Sequence, residues 1–277
     1  MAKSRKRLII VCSIIGIFIA FGIIFGALFS VRRISVDFAS AINRFDTSTA
    51  FKNSVIEESG VTKGKSIVFT NFDKVEKTLE KKFPYGKFHI VRNFPNKIII
   101  YIYEREPAFR VQDSKGDWHI YDESLKLLQI VANTNLDDEF LNLPIPPAVS
   151  GIDLNLCEKE GEVMKESNFK AKYSSILDGV YGAEESPIHI MSDIVFSNDL
   201  DDGTNIVTFT LANSGTKIIV KGDNNFEEKI AKAVYIYLKE IREDNYYSSI
   251  LDEVEITIYD HASSYMIVLT PTKPTND

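Results

Sequence analysis

Apolar residues recur along this chain at two periods, and the changes of period mark out its elements. Between Leu8 and Val31 there is no charged residue. A helix over these ~24 positions, rising ~1.5 Å per residue, is long enough for a bilayer core of ~30 Å. Residues 34–38 then alternate like a first strand. Thr47, Ser48 and Thr49 offer helix N-caps, Phe51 and Val55 share a face, and Gly60 suits the position after a helix end. The next helix starts with Asp73-x-x-Glu76 as a capping box, carries Phe72, Val75, Leu79 and Phe83 at helical spacing, and stops at Pro84. Residues 87–92 form a strand with Phe88 and Ile90 on one face. The turn Asn93–Asn96 hands over to residues 97–103, where Ile98, Ile100 and Ile102 share a face. The other face holds Lys97, Ile99, Tyr101 and Tyr103, so this strand is expected to be central. Pro107, with no N–H to give, closes it. The order strand-helix-helix-strand-strand predicts a three-stranded sheet with its helices on one side.

Beyond Pro107 the pattern shifts to short strands and turns. Residues 118–121 and 125–131 flank a turn at 122–124. Residues 132–150 are polar and then Pro-rich, through Pro144, Pro146 and Pro147, and are read as a loop that cannot join a sheet interior. Phe169, Tyr173, Ile176 and Val180 suit an amphipathic helix ending near Gly179 or Gly182. A three-strand meander follows at 190–196, 206–211 and 216–221. Phe226, Ile230, Val234, Tyr237 and Ile241 mark a strong helix, with Asp223-Asn224-Asn225 as its cap. Two strands, 254–259 and 265–270, close the fold.

The fold class expected is therefore α+β. A cytoplasmic tail (1–7) and a transmembrane helix (8–31) precede a small α/β domain (32–107). A mixed, mostly antiparallel β domain with flanking helices (108–270) follows, then a flexible tail (271–277). Lys3, Arg5, Lys6 and Arg7 flank the apolar stretch on its cytoplasmic side. A cleaved signal peptide fits less well, because the apolar region is long and no A-x-A-like site follows. Removing the four positive charges of the tail takes the net charge from −7 to −11 for residues 32–277. An acidic ectodomain argues against nucleic acid as a partner and against lying on an anionic membrane surface. Cys12 lies in the apolar stretch and Cys157 far beyond it, so no disulfide between them is expected.

Candidate chemistry is thin. Ser59–Ser66 imitates a phosphate loop, but its first position is Ser59 and the following Ile67-Val68-Phe69 is strand-like. Asn198–Gly203 imitates a calcium loop, but Leu200 stands at a ligand position and Phe209 where a bidentate Glu is needed. His89, His119, His189 and His261 are widely separated, with no partner at metal-ligand spacing. No Gly-x-Ser-x-Gly elbow is present. No catalytic residue, cofactor site or metal site is read from this chain.

Several motifs in order give the chain a resemblance. Gly64-Lys65-Ser66-Ile67 precedes the second helix, and Val75…Leu79…Phe83-Pro84 ends it. Ile90-Val91-Arg92-Asn93-Phe94-Pro95-Asn96-Lys97-Ile98 forms the hairpin, and Glu104-Arg105-Glu106-Pro107-Ala108 closes the domain. Further on come Ile120-Tyr121-Asp122, Leu143-Pro144, Ser150-Gly151, residues 215–222 and Lys229-Ile230. In this order they resemble the FtsQ/DivIB family of bacterial cell-division proteins. That family has a cytoplasmic tail, one membrane helix, an extracytoplasmic POTRA (polypeptide-transport-associated) domain and a β domain. Two departures stand out: the first-strand region lacks the family's Gly turn, and Glu123-Ser124 replace the Gly of the β-domain turn.

The resemblance implies a non-catalytic scaffold of the division septum, in the cell membrane. Its implied partners are single-span proteins of the FtsB/DivIC and FtsL types, with septal peptidoglycan synthase reached through them. The alternatives are a POTRA-bearing secretion component, although barrel-type strands are absent, and an anchored cell-wall hydrolase. An edge strand offers unpaired backbone groups to an incoming strand. The resemblance places such a contact at the C-terminal edge, giving Ile258, Tyr259, Tyr265, Met266, Ile267 and Val268 as candidate partner-binding residues. Val254, Ile256 and Ile258 should face inward, and Glu255, Thr257 and Tyr259 outward. Residues 265–269 are apolar on both faces, so the alternative is an internal strand whose apolar residues are all core.

Overall fold

The computed structural model describes residues 2–39, 47–140, 143–183, 185, 190–200, 203–212, 215–242, 254–261 and 264–271. Within these, side chains are not described for residues 2–12, 138, 139, 240–242, 254, 261, 264 and 271. The chain divides into two compact units, Met1–Arg105 and Glu106–Asp277.

The first unit opens with helix α1, Ala2–Leu28. Its described side chains, from residue 13 on, are exposed up to Leu28 and, Ser13 apart, apolar. Among the described residues no helix is long and apolar enough to cross a membrane. Strand β1 (Arg33–Phe38) follows, then α2 (Thr49–Glu58), α3 (Phe72–Lys82), β2 (Gly86–Asn93) and β3 (Lys97–Glu104). The sheet order is β1-β3-β2, with β3 central, parallel to β1 and antiparallel to β2. A strand with neighbours on both sides spends all its backbone groups on the ladder, and β3 can be central because its side chains suit the site. Ile98, Ile100 and Ile102 are fully buried against Leu79, Val55 and Phe88. Tyr103, on the other face, is exposed.

The cap of α2 is as expected: the Ser48 hydroxyl accepts from the Phe51 N–H, and Gly60 takes a φ of 64° just past the helix. The cap of α3 differs. Asn71, not Asp73, is the N-cap, and its side chain accepts from the Lys74 N–H at 3.1 Å. Glu76 reaches across instead and accepts from the Ile90 N–H of β2 at 2.7 Å. A carboxylate on that N–H satisfies a donor that the edge strand would otherwise leave open.

The second unit contains β4 (Phe109–Gln112), β5 (Trp118–Tyr121), β6 (Leu127–Val131), a short helix α4 (Leu136–Glu139), β7 (Ala148–Ser150) and α5 (Ser167–Gly182). Strands β8 (Met191–Asn198), β9 (Asn205–Leu211) and β10 (Lys217–Lys221) lead to helix α6 (Phe226–Ile236), and β11 (Val254–His261) and β12 (Ser264–Pro271) close the chain. They form one nine-stranded sheet in the order β12-β11-β10-β9-β8-β7-β4-β5-β6. Five neighbouring pairs are antiparallel and three parallel, a mixed and mostly antiparallel sheet as expected. The fold is α+β.

One expectation fails inside this sheet. Residues 148–150 of the Pro-rich stretch are an interior strand, between β8 and β4. The prolines do not prevent it, because they stop at Pro147 and serve as acceptors: the Pro147 carbonyl takes the Arg110 N–H at 2.9 Å, and the Pro146 carbonyl takes the Arg110 guanidinium. Loss of an N–H excludes proline from a ladder position that donates, not from one that accepts. The turn after β5 is rebuilt without the family's Gly. The Asp122 carboxylate accepts from the Ser124 N–H, the Ser124 hydroxyl and the Lys126 N–H. Leu125 takes the positive φ of 64° and is buried, so its packing and the Asx turn offset the strain.

Helix α5 buries Phe169, Tyr173, Ile176 and Val180, the expected face. Phe109, Tyr121, Phe169 and Tyr173 form an aromatic cluster with centroids 4.7–5.6 Å apart in the contacting pairs. Burial pushes the hydroxyl pKa of both Tyr121 and Tyr173 upward, so both remain neutral hydrogen-bonding groups: Tyr173 donates to the Ala108 carbonyl, and Tyr121 accepts from the Cys157 N–H. Gly179 lets α5 cross α6 closely, since a Cβ there would lie 2.7 Å from the Ile230 Cβ. Helix α6 buries Ile230 and Val234 as expected, but its N-cap, Asn225, sits at φ 50° and makes no side-chain cap bond. The side chain of Ile241 lies outside the described ones.

Ile100 is the test of the first core. It has no exposure, so Ile100→Ala should destabilise the chain by about 2–4 kcal/mol in urea unfolding. A loss under about 0.5 kcal/mol would show that this face is not the core.

Candidate partner-binding edge

The last strands are held by one lysine. Lys229 of α6 is fully buried, and its ammonium donates to the Lys221 carbonyl (2.7 Å), the Gly222 carbonyl (2.9 Å) and the Asp260 carboxylate (3.0 Å). Three donors meet three acceptors, which is what allows an ammonium to be buried at all. The bonds join helix α6, the end of β10 and β11. Gly222 is required beside them: its φ is 79°, and a Cβ would lie 2.3 Å from the Asp260 carboxylate. Strand β11 runs parallel to β10, in register from Lys217↔Glu255 to Val220↔Ile258.

Strand β12 pairs with β11 on one side and is the edge of the described sheet. The hairpin closes on His261↔Ser264 with two residues between them. A two-residue turn makes its closing pair the hydrogen-bonded one, and antiparallel pairs then alternate. Tyr259↔Met266 and Thr257↔Val268 are thus bonded pairs, while Asp260↔Tyr265, Ile258↔Ile267 and Ile256↔Leu269 are not. In a non-bonded pair the edge residue's N–H and C=O point away from its neighbour. Tyr265, Ile267 and Leu269 therefore present theirs to the open side. Pro271 supports this parity independently, since it pairs with Val254 at a non-bonded position, where no N–H is needed.

Side chains follow the other alternation. Ile256 and Ile258 are fully buried, as expected, with Thr257 and Tyr259 on the opposite face. Ile258, one of the candidate contact residues, is thus a core side chain of an interior strand. Tyr265 and Ile267 are half-buried against the core. Met266 and Val268 are exposed on the outer face, and the Tyr259 hydroxyl meets the Met266 sulfur at 2.9 Å. Tyr259, Met266 and Val268 are thereby gathered into one apolar strip beside the edge. Tyr265 donates to Glu228 of α6 at 3.3 Å, and burial, then the Glu228 charge, pushes its hydroxyl pKa upward. Sequence reasoning named Lys229 only within a motif and did not single out Asp260 or Leu269 as site residues. A lysine on the apolar side of a helix, at Lys229-Ile230, was the one available signal for the first.

The two histidines with described side chains do not converge. His119 is buried on β5 with its Nε2 3.5 Å from Asp113, and His89 lies 3.6 Å from Glu76. His189 and the His261 side chain lie outside the described ones, as do Asp201 and Asp202 of the calcium-like turn. Among the described residues no group of three His, Cys, Asp or Glu is placed to hold a metal ion.

Residues 48–105 match the family model described as a POTRA domain, FtsQ-type. The first unit carries an FtsQ-type POTRA domain. The match supports the FtsQ/DivIB resemblance, over about a fifth of the chain. No curated protein matches the chain. In the FtsQ-type domain the matched segment runs from the cap of α2 to the end of β3, so it contains both helices and the central strand.

Three substitutions test the edge. Lys229→Met should destabilise the chain by about 3 kcal/mol, because two carbonyls and Asp260 lose their donor; an unchanged urea midpoint would contradict the tie. Ile267→Pro removes only an outward donor and should leave the chain folded, whereas Met266→Pro breaks a bond to β11 and should loosen the hairpin. Equal loss of structure in both, read by amide exchange at β11, would overturn the parity.

Proposed function

We propose that this protein is a non-catalytic, membrane-anchored scaffold of the bacterial division septum. In this reading residues 1–7 are cytoplasmic and residues 8–31 cross the membrane. The POTRA domain (32–107) and the β domain (108–270) stand outside, followed by the tail (271–277). The observation that carries the reading is the FtsQ-type POTRA domain at residues 48–105. The basic residues before α1 and the exposed apolar side chains along it support the anchor.

A protein working without catalysis works through its surface. The open side of β12 is the place for a partner of the FtsB/DivIC type to add a strand, with backbone bonds at Tyr265, Ile267 and Leu269 supplying affinity. The strip of Tyr259, Met266 and Val268 supplies selectivity, because alternate side chains of an added strand would lie against it. The FtsL-type protein and septal peptidoglycan synthase would be reached through that partner.

The test is the position of a fluorescent fusion of the full chain in growing cells of its host. The expected result is a band at midcell that is lost when the POTRA domain is deleted. A uniform envelope signal through the division cycle would contradict a septal role and favour a secretion component or a wall hydrolase.

A further inference from the structure

The end of α1 is joined to the POTRA domain by backbone bonds, with no flexible linker between them. The Ile67 N–H donates to the Phe29 carbonyl at 2.9 Å. The Val31 N–H donates to the Lys65 carbonyl, the Gly64 N–H to the Val31 carbonyl and the Arg32 N–H to the Asn96 carbonyl, each at 2.8 Å. Phe29 packs on the POTRA core and Val31 is buried in it. Two segments therefore stand beside the helix end: the loop 61–70 and the β2–β3 hairpin tip. Arg92 straps them together, donating to the Ile67 carbonyl at 3.1 Å and the Thr70 carbonyl at 3.0 Å.

This end has a composition unlike the rest of the chain. Phe69 is 84% exposed and Phe94 56% exposed. The Phe94 ring meets Phe29 edge-on at 5.8 Å, and Phe29 meets Phe25 of α1 at 4.4 Å, so the apolar side chains continue from the helix onto the domain. Residues 29–36, 60–70 and 90–99 together hold Arg32, Arg33, Lys63, Lys65, Arg92 and Lys97, and no Asp or Glu. The whole chain carries −7. Large aromatic side chains held out into water, ringed by cations, fit the boundary between acyl chains and anionic headgroups.

We infer that this end of the POTRA domain rests on the outer face of the bilayer, with Phe69 and Phe94 among the headgroups and the cations against lipid phosphates. The inference rests on α1 being the membrane anchor. A helix rigidly continued into the domain gives Phe69 and Phe94 little freedom to leave the surface, so the contact orients the domain as well as adding to its attachment. The six cations account for the local reversal of charge in an otherwise acidic ectodomain.

The test uses the full chain in mixed phosphatidylcholine–phosphatidylglycerol vesicles, with Trp118→Phe to remove the native indole. Single tryptophans are placed by Phe21→Trp, Phe69→Trp or Phe94→Trp, and their quenching by lipids brominated at shallow or deep acyl positions is compared. Phe21→Trp reports the anchor. The expected result is deep quenching at position 21, and at positions 69 and 94 quenching at least about twofold stronger from shallow than from deep bromines. Exchanging the anionic lipid for phosphatidylcholine should lower the signal at 69 and 94 only. Deep quenching at 21 with none at 69 and 94 overturns the surface contact and leaves the anchor standing. No quenching at 21 overturns the anchor, and the contact with it. Lipid quenching at 69 and 94 that is indifferent to lipid charge overturns the role given to the cations.

Discussion

The buried ammonium of Lys229 is the interaction on which the C-terminal end depends. Strand β11 follows α6 and pairs parallel to β10, so no tight turn sets its register. Lys229 sets it by bonding the last carbonyls of β10 and Asp260 of β11 together. Burying such a charge costs several kcal/mol unless each donor finds an acceptor, and a shift of β11 by one residue would take Asp260 away. The same shift would turn Ile256 and Ile258 out of the core. Polar pairing and apolar burial thus select one register, and β12 inherits it through the hairpin.

The two units manage their sheet edges differently. In the POTRA domain, edge strand β2 has the Ile90 N–H answered by Glu76 of α3. In the second unit, β12 has a half-buried inner face and an exposed outer one, with three residues' backbone groups directed to the open side. An apolar edge left so is a hazard for association in solution. Under the proposed function it would be the feature that recruits, and Pro271 would limit how far an added strand can run.

Much of the fold was legible because period and burial agree. Ile98, Ile100 and Ile102 alternate and are core; Phe169, Tyr173, Ile176 and Val180 recur at helical spacing and are core. What was not legible lacks a period. Strand β7 has three residues after two prolines, too few to alternate, and is fixed by neighbours distant in sequence. Asp73 and Asn71 are both good caps, and only the backbone decides between them. Leu125 takes a conformation that its side chain disfavours, because Asp122 holds the turn. At the candidate edge, the inward Ile256 and Ile258 and the opposite-facing Thr257 and Tyr259 of β11 could be read from alternation, whereas β12, apolar on both faces, carried no such signal. Ile258 packs in the core because alternate β11 side chains point inward, and the structural role of Lys229, named only within a motif, was not legible because a lysine reads as surface until its acceptors are known.

The central claim, that β12 is an open strand awaiting a partner strand, is tested most directly by residue-resolved amide exchange of the full chain in nanodiscs, alone and with an FtsB/DivIC-type partner. The account predicts an alternating pattern in the free chain, with Met266 and Val268 protected and Tyr265, Ile267 and Leu269 exchanging quickly. Partner binding should then protect those three. Uniform protection along β12 in the free chain, or fast exchange at Tyr265, Ile267 and Leu269 with the partner bound, would contradict it.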